Sequence, residues 1–276
     1  MKASRLIPVV LALTALTAPA AASAQAFEGV LKQHMTTVMP PGVAALAGAD
    51  TSDRGKVLAA VAAKLEGVDP SLVQTMDITS YVKGAKMRVE TAGAAGQGFF
   101  AVLDAATDSI FMVIPAMNRV MVGTMDQMGE FQKRNRQRMG MEDLAALVAS
   151  PTLTELGEST IGGIHARGYR ATSAGSLSET WVDPSQKDPD LGKLTGMLQK
   201  MNGATMDSSF QLLMRSKGRV LRTMSIMKAP PMLGAGWMVS RIEAAPPAPQ
   251  AVPDSLFVLP TEYARVNLAD MMSSMQ

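Results

Sequence analysis

Apolar and polar positions alternate along much of this chain, and the alternation predicts strands before anything else is considered. Phe27 to Met35 reads as the first strand. Gln74–Lys83 and Lys86–Thr91 follow as a hairpin around a tight Gly84-Ala85 turn. Gln97–Leu103 and Ser109–Ile114 pair across 104–108, and Arg119–Gly123 comes after the turn Pro115-Ala116-Met117-Asn118. Further strands are predicted at Thr152–Leu156, Ser159–Thr172 with a break at Gly162-Gly163, Ser178–Asp183, Ser208–Ser216, Arg219–Lys228 and Trp237–Glu243. Leu256–Leu259 and Tyr263–Leu268 are short closing segments.

The helical period is rarer. Val57, Ala60, Val61 and Leu65 form one stripe, so Arg54–Gly67 is a helix, with Asp69-Pro70 beyond its end. Leu191, Leu194, Leu198 and Met201 set a second helix over Asp190–Met201, and Glu142–Ala149 is a third. Residues 39–53 are rich in Pro, Gly, Ala and Asp without a period and read as a loop. Residues 244–253 hold four prolines and must be extended. About eleven strands with two or three helices predict a mainly β (α+β) fold built from antiparallel hairpins. Because no linker divides 27–276, one domain is expected.

The first 26 residues belong to a different pattern. Lys2 and Arg5 open a positive start, Leu6 to Ala18 is apolar, and Ala24-Gln25-Ala26 is a small-residue cleavage site before Phe27. This is the signature of a secretory signal peptide, and with the Ala-, Gly- and Met-rich composition it points to a Gram-negative periplasm. The mature chain would have about 250 residues, enough to bury a β-rich core. Lys2 and Arg5 account for the whole formal charge of +2, so the remainder is neutral, without general attraction to nucleic acid. There is no cysteine, hence no disulfide, thiolate nucleophile or lipid-anchoring cysteine. The longest later apolar run, Ile110–Met117, is far short of the roughly 20 residues a membrane helix needs.

Several motifs taken together resemble a known family. They are Phe27-Glu28-Gly29 at the mature start, Tyr81-Val82-Lys83-Gly84-Ala85-Lys86-Met87-Arg88-Val89-Glu90, and Asp104 before an apolar strand ending at Pro115. Gly157-Glu158-Ser159-Thr160-Ile161-Gly162-Gly163-Ile164 before Tyr169, Glu179-Thr180-Trp181-Val182, and Leu256-Phe257-Val258-Leu259-Pro260-Thr261-Glu262-Tyr263 complete the set. The pattern resembles the secreted bacterial DUF4412 family, which is similar to the periplasmic lipoprotein carriers LolA and LolB. The resemblance implies a strongly curved antiparallel half-barrel with two or three helices on its concave side. The chain departs from it in the long 39–73 insertion, and in Arg167 or Gly168 where a cysteine often precedes the tyrosine. No catalytic residue is implied.

Candidate chemistry is sparse. Ser80-Tyr81-Val82-Lys83 matches S-x-x-K but falls in a hairpin without its partner motifs. Gly93, Gly96 and Gly98 stand in the wrong order for a dinucleotide loop. His34 and His165 lie in separate strands with no metal-site spacing, so no metal and no cofactor is assigned. Methionine is the compositional oddity, at 23 residues against 4% aromatics, and it suits either an adaptable apolar pocket or ordinary core filling. Met112, Trp181, Met197, Met201, Met214, Met224 and Trp237 are the apolar-ligand candidates. Copper held by thioethers is a third reading, on His34-Met35 with Met39, Met121 with Met125 and Met128, Met139 with Met141, or Met271-Met272 with Met275. Lys133, Arg134, Arg136 and Arg138 form a basic cluster for lipid head groups or an acidic partner. The expectation is a non-enzymatic periplasmic protein that binds a lipid or acyl chain, or else a ligand-free envelope module with a protein partner and no nucleic acid.

Overall fold

The computed structural model describes residues 27–48, 52–93, 98–138, 151–202, 214, 216–229, 233 and 235–273. Residues 1–26, read above as a signal segment, the expected helix at 142–149, Met139, Met141 and Met275 lie outside them.

One thirteen-stranded sheet organises the chain. Its strands are β1 Gly29–Val38, β2 Val73–Lys83, β3 Lys86–Gly93, β4 Phe99–Asp104, β5 Ser109–Ile114 and β6 Arg119–Thr124. They continue with β7 Thr152–Ile161, β8 Ile164–Thr172, β9 Ser176–Asp183, β10 Arg219–Lys228, β11 Trp237–Ala244, β12 Ala248–Pro249 and β13 Ala264–Asn267. The order is β13-β6-β5-β4-β3-β2-β1-β11-β10-β9-β8-β7, with β12 beside β1. Two local meanders, β2–β6 and β7–β11, are joined by β1, which pairs with β2 on one side and β11 on the other. The ends do not meet, so the sheet is open.

Three expectations are corrected. The sheet is mixed, because β13 runs parallel to β6. Of the expected strand Ser208–Ser216, the described Met214 and Ser216 are helical. The closing segment Leu256–Leu259 begins in a short 3-10 turn, Asp254–Phe257.

The helices are α1 Pro40–Ala47, α2 Arg54–Lys64, α3 Met125–Arg138, α4 Lys193–Asn202 and α5 Leu268–Ser273. α1 replaces the expected loop: Pro40 occupies its first turn, where a missing N–H costs nothing. α2 starts at the Asp53 cap, whose carboxylate accepts from the Gly55 and Lys56 N–H groups.

The helices divide between the two faces rather than covering one. The first face carries Leu31 and Met35 of β1, then Ile78, Val82, Met87, Val89, Leu103 and Ile110, and is sealed by Met125 and Met128 of α3, Leu194, Met197 and Leu198 of α4, and Leu268 of α5. The second face carries Val38, Val239, Ile226, Met224 and Leu177, packed under Val43 of α1 and Val57, Leu58 and Val61 of α2. β1 is therefore buried on both sides for most of its length. A smaller cluster of Tyr169, Ala171, Val182 and Met214 lies beyond.

Candidate functional site

β1 positions the site by alternation. Leu31, Gln33 and Met35 share the first face. Gln33 is thus a polar side chain in an apolar row, and it is only 6% exposed.

β10, two strands along the same sheet, supplies the second wall. Its pairing with β9 slips between Val220 and Arg222. This β-bulge places Val220, opposite Val182, and Thr223, opposite Thr180, on the same face although they stand three residues apart. Arg219 then falls opposite Asp183 at the strand end. Gly218 is required just before it, since a Cβ there would lie 2.3 Å from the Asp183 carbonyl oxygen.

The third wall is the segment from Pro184 to Leu191, held by hydrogen bonds at each end. The Ser185 hydroxyl and N–H donate to Asp183 Oδ1 at 2.6 and 2.9 Å. The Arg219 N–H donates to the Gln186 carbonyl at 2.9 Å, and the Phe27 N–H to the Asp190 carbonyl at 2.9 Å. Gly192 N–H is capped by Asp190 Oδ1 at 2.8 Å.

Between these walls lies a small cleft of about 30 Å³, lined by Leu31, Gln33, Pro189, Leu191, Arg219 and Val220, with Lys32, Asp188, Ala244, Ala245 and Pro247 also contributing. Leu31 and Leu191 also belong to the first-face core, so the cleft abuts the layer between the sheet and α4. Behind them that layer is rich in methionine: Met35, Met87, Met121, Met125, Met128 and Met197.

The polar end of the cleft is under-satisfied. Arg219 Nη2 donates to Asp183 Oδ2 at a long 3.5 Å, and both side chains are about 5% exposed or less. Among the described residues, Arg219 Nε and Gln33 Oε1 are buried without a hydrogen-bond partner. Asp183 is held below its ordinary value of 3.8, first by the Ser185 hydroxyl, then by the Ser185 N–H and the Arg219 charge, against the opposing effect of burial.

The sequence-predicted residues fall in several places. Met112 and Met197 both pack in the first-face layer. Met214, expected in a strand, is helical and packs with Tyr169, Ala171 and Val182. Met224 and Trp237 are on the second face with α1 and α2. Trp181 shares that face, with its ring over Gly168. Met201 is in α4. The six with described side chains do not converge on one cavity.

The basic cluster is also divided. Lys133 is exposed, whereas Arg134 donates to the Met272 carbonyl at 3.1 Å. Arg136 and Arg138 lie in the last turn of α3. Met121, Met125 and Met128 are buried together in the first-face core. His34 Nδ1 is 2.7 Å from Asp77 Oδ1 and sits across the strand from Met35. Ser80 and Lys83 take opposite faces of β2, and Lys83 pairs with Asp254 at 2.9 Å. No group of three or more His, Cys, Asp or Glu residues poised for a metal occurs among the described residues.

Sequence reasoning missed Gln33, Asp183 and Arg219. A signal existed for Gln33, whose place between Leu31 and Met35 breaks an apolar row. Arg219 carried none, since an arginine opening a strand ordinarily faces solvent.

No family model matches the chain, and no curated protein matches it. The DUF4412 resemblance therefore stands on its motifs alone. Among solved structures, PNGF-II shares 10% identity over 89% of this chain at TM-score 0.35, and the chain spans only 33% of its length. The Pseudomonas aeruginosa MucA/MucB complex gives 10% identity and TM-score 0.35, covering 86% of this chain and 58% of that one. A putative outer membrane lipoprotein-sorting protein domain from Vibrio parahaemolyticus gives 12% identity and TM-score 0.27, covering 83% and 89%. Overlap this low carries no argument about function, and the fold rests on the topology of the sheet itself.

Proposed function

We propose that this chain is an exported, non-enzymatic binding protein of the periplasm, a single LolA/LolB-like unit that holds a lipid or acyl chain between its sheet and the first-face helices. One observation carries this reading: the cleft is walled by Leu31 and Leu191, which are themselves core residues. An apolar chain entering there would have to displace Leu31 and Leu191, which are 6% and 2% exposed. The methionines behind it are unbranched and re-pack at low cost, so the layer can admit a guest without losing its shape. Affinity would come from apolar area removed from water, at roughly 25 cal/mol per Å², less the cost of ordering the guest.

The alternative is an envelope module that recognises a protein partner without a small ligand. The exposed Lys133 and the largely exposed 245–251 segment favour it. Native mass spectrometry on residues 27–276 purified from a bacterial periplasm separates the two. An adduct of lipid mass, lost on organic extraction, is the expected result. A bare mass together with no thermal shift from added lipids or fatty acids would overturn the carrier reading in favour of the module.

A further inference from the structure

We infer that Met112, Met121, Met125 and Met128 form a thioether site for a soft monovalent cation of the Cu(I) class. The site is independent of the acyl-chain reading, because it occupies one end of the first-face layer and needs no cleft. Of the thioether groupings present in the sequence, the fold brings this one together. Met121, Met125 and Met128 are 9%, 0% and 4% exposed and belong to one cluster, and the half-buried Met112 packs against it. His34 and Met35, by contrast, take opposite faces of β1.

The convergence follows from strand register and from the junction of β6 with α3. Met112 of β5 stands directly opposite Met121 of β6, which sets their Cβ atoms about 4.5–5.5 Å apart on one face. β6 ends at Thr124 and α3 begins at Met125, with no loop between them. A reciprocal cap locks the junction. The Thr124 N–H donates to Gln127 Oε1 at 2.9 Å, and the Gln127 N–H donates to Thr124 Oγ1 at 3.3 Å. A Cβ on Gly123 would lie 3.0 Å from both Gln127 Oε1 and the Leu268 Cβ, so α5 packs closely over the same junction. Met125 and Met128, three residues apart on α3, are neighbours with Cβ atoms about 5–6 Å apart.

Gln132 adds an unmet polar group to the same face of α3. It is 9% exposed, and among the described residues its Oε1 is buried without a hydrogen-bond partner. Seven residues on from Met125, it returns to within about 20° of the same line along the helix, one turn beyond Met128. An acceptor with nothing to accept is costly in an apolar layer. A water carried by a bound cation would satisfy it.

The donor set decides the class of ion. Thioether sulfur is a soft, neutral ligand, and it selects Cu(I) over hard cations. No group of three or more His, Cys, Asp or Glu residues poised for a metal occurs among the described residues, so the four sulfurs bring no anionic ligand to balance a second positive charge. The site therefore fits a monovalent ion.

Anaerobic titration of residues 27–276 with Cu(I) against a chromophoric chelator, and with Ag(I) by calorimetry, tests the site. One ion per chain is expected, with no uptake of Zn(II). Met125→Leu keeps the volume of the side chain and removes the sulfur. It should weaken binding at least about tenfold with little change in Tm. Met35→Leu, in the same layer but on β1, should bind as the unaltered protein does. In the unaltered protein, Ag(I) should shift the methyl NMR signals of Met112, Met121, Met125 and Met128 and leave that of Met35 in place, a signature that depends on no variant folding. Absence of a bound ion, unaltered affinity in Met125→Leu, an equal loss in Met35→Leu, or unmoved methyl signals would each overturn the site. Zn(II) bound as tightly as Cu(I) would overturn its soft-ion selectivity. None of these outcomes bears on the acyl-chain reading, which the co-purified lipid decides.

Discussion

Gly168 shows how far a single atom matters here. A Cβ at this position would lie 2.6–2.8 Å from three ring atoms of Trp181 on the neighbouring strand. Any larger side chain at this position could not sit under that ring without moving it. Gly168→Ala should therefore destabilise the protein by about 1–3 kcal/mol, read as a lowered urea midpoint. In a Trp237→Phe background the emission of Trp181 should shift as well. An unchanged midpoint would mean that the ring is not held on the glycine.

Asp183 gives a prediction of definite sign. Its carboxyl is held below 3.8 in the folded state, so its stabilising effect is present above that pH and is lost as pH falls through the lowered folded value. Urea unfolding at pH 7, 4 and 3 should show the loss mainly at the lowest pH, and Asp183→Asn should flatten that part of the curve. At this scale the sequence was informative where a residue broke a pattern, as Gln33 does. It was silent where the role depends on what the fold brings opposite, as with Asp183 and Arg219, 36 positions apart.

At the scale of elements, strands were legible because each hairpin is local and its alternation is visible within a few residues. The Gly84-Ala85 and Gly162-Gly163 turns fall where the sequence placed them. Short helices were not legible, because packing and not propensity decides them. α1 has no apolar period, yet Pro40, Gly42 and Val43 are buried against the sheet. α5 has only six residues and is pinned by Leu268 and Met272. Leu268 is 1% exposed, and the Arg134 guanidinium caps the Met272 carbonyl. Leu268→Ala should cost about 2–5 kcal/mol and should speed amide exchange first in 264–273. Uniform exchange across the first-face helices instead would show that α5 unfolds only with the whole layer.

For the whole molecule, the arrangement turns on β1. It is made first and yet ends in the middle of the sheet, pairing with β11 more than 200 positions away, His34 opposite Glu243. Nothing in the local pattern of 29–38 specifies that partner, or the parallel approach of β13 to β6. Both follow from the need to bury two faces at once, with α3, α4 and α5 on one and α1 and α2 on the other. The sequence by itself determined a nearly neutral, cysteine-free, β-rich chain with many methionines and no recognisable catalytic motif. These properties are set by composition and by period-two alternation, which act within a few residues. Only the tertiary structure decided which methionines share a layer, where the sheet ends, and that Gln33 and Arg219 line one cleft. Those are long-range outcomes, fixed by the joint burial of faces that no local stretch of the chain contains.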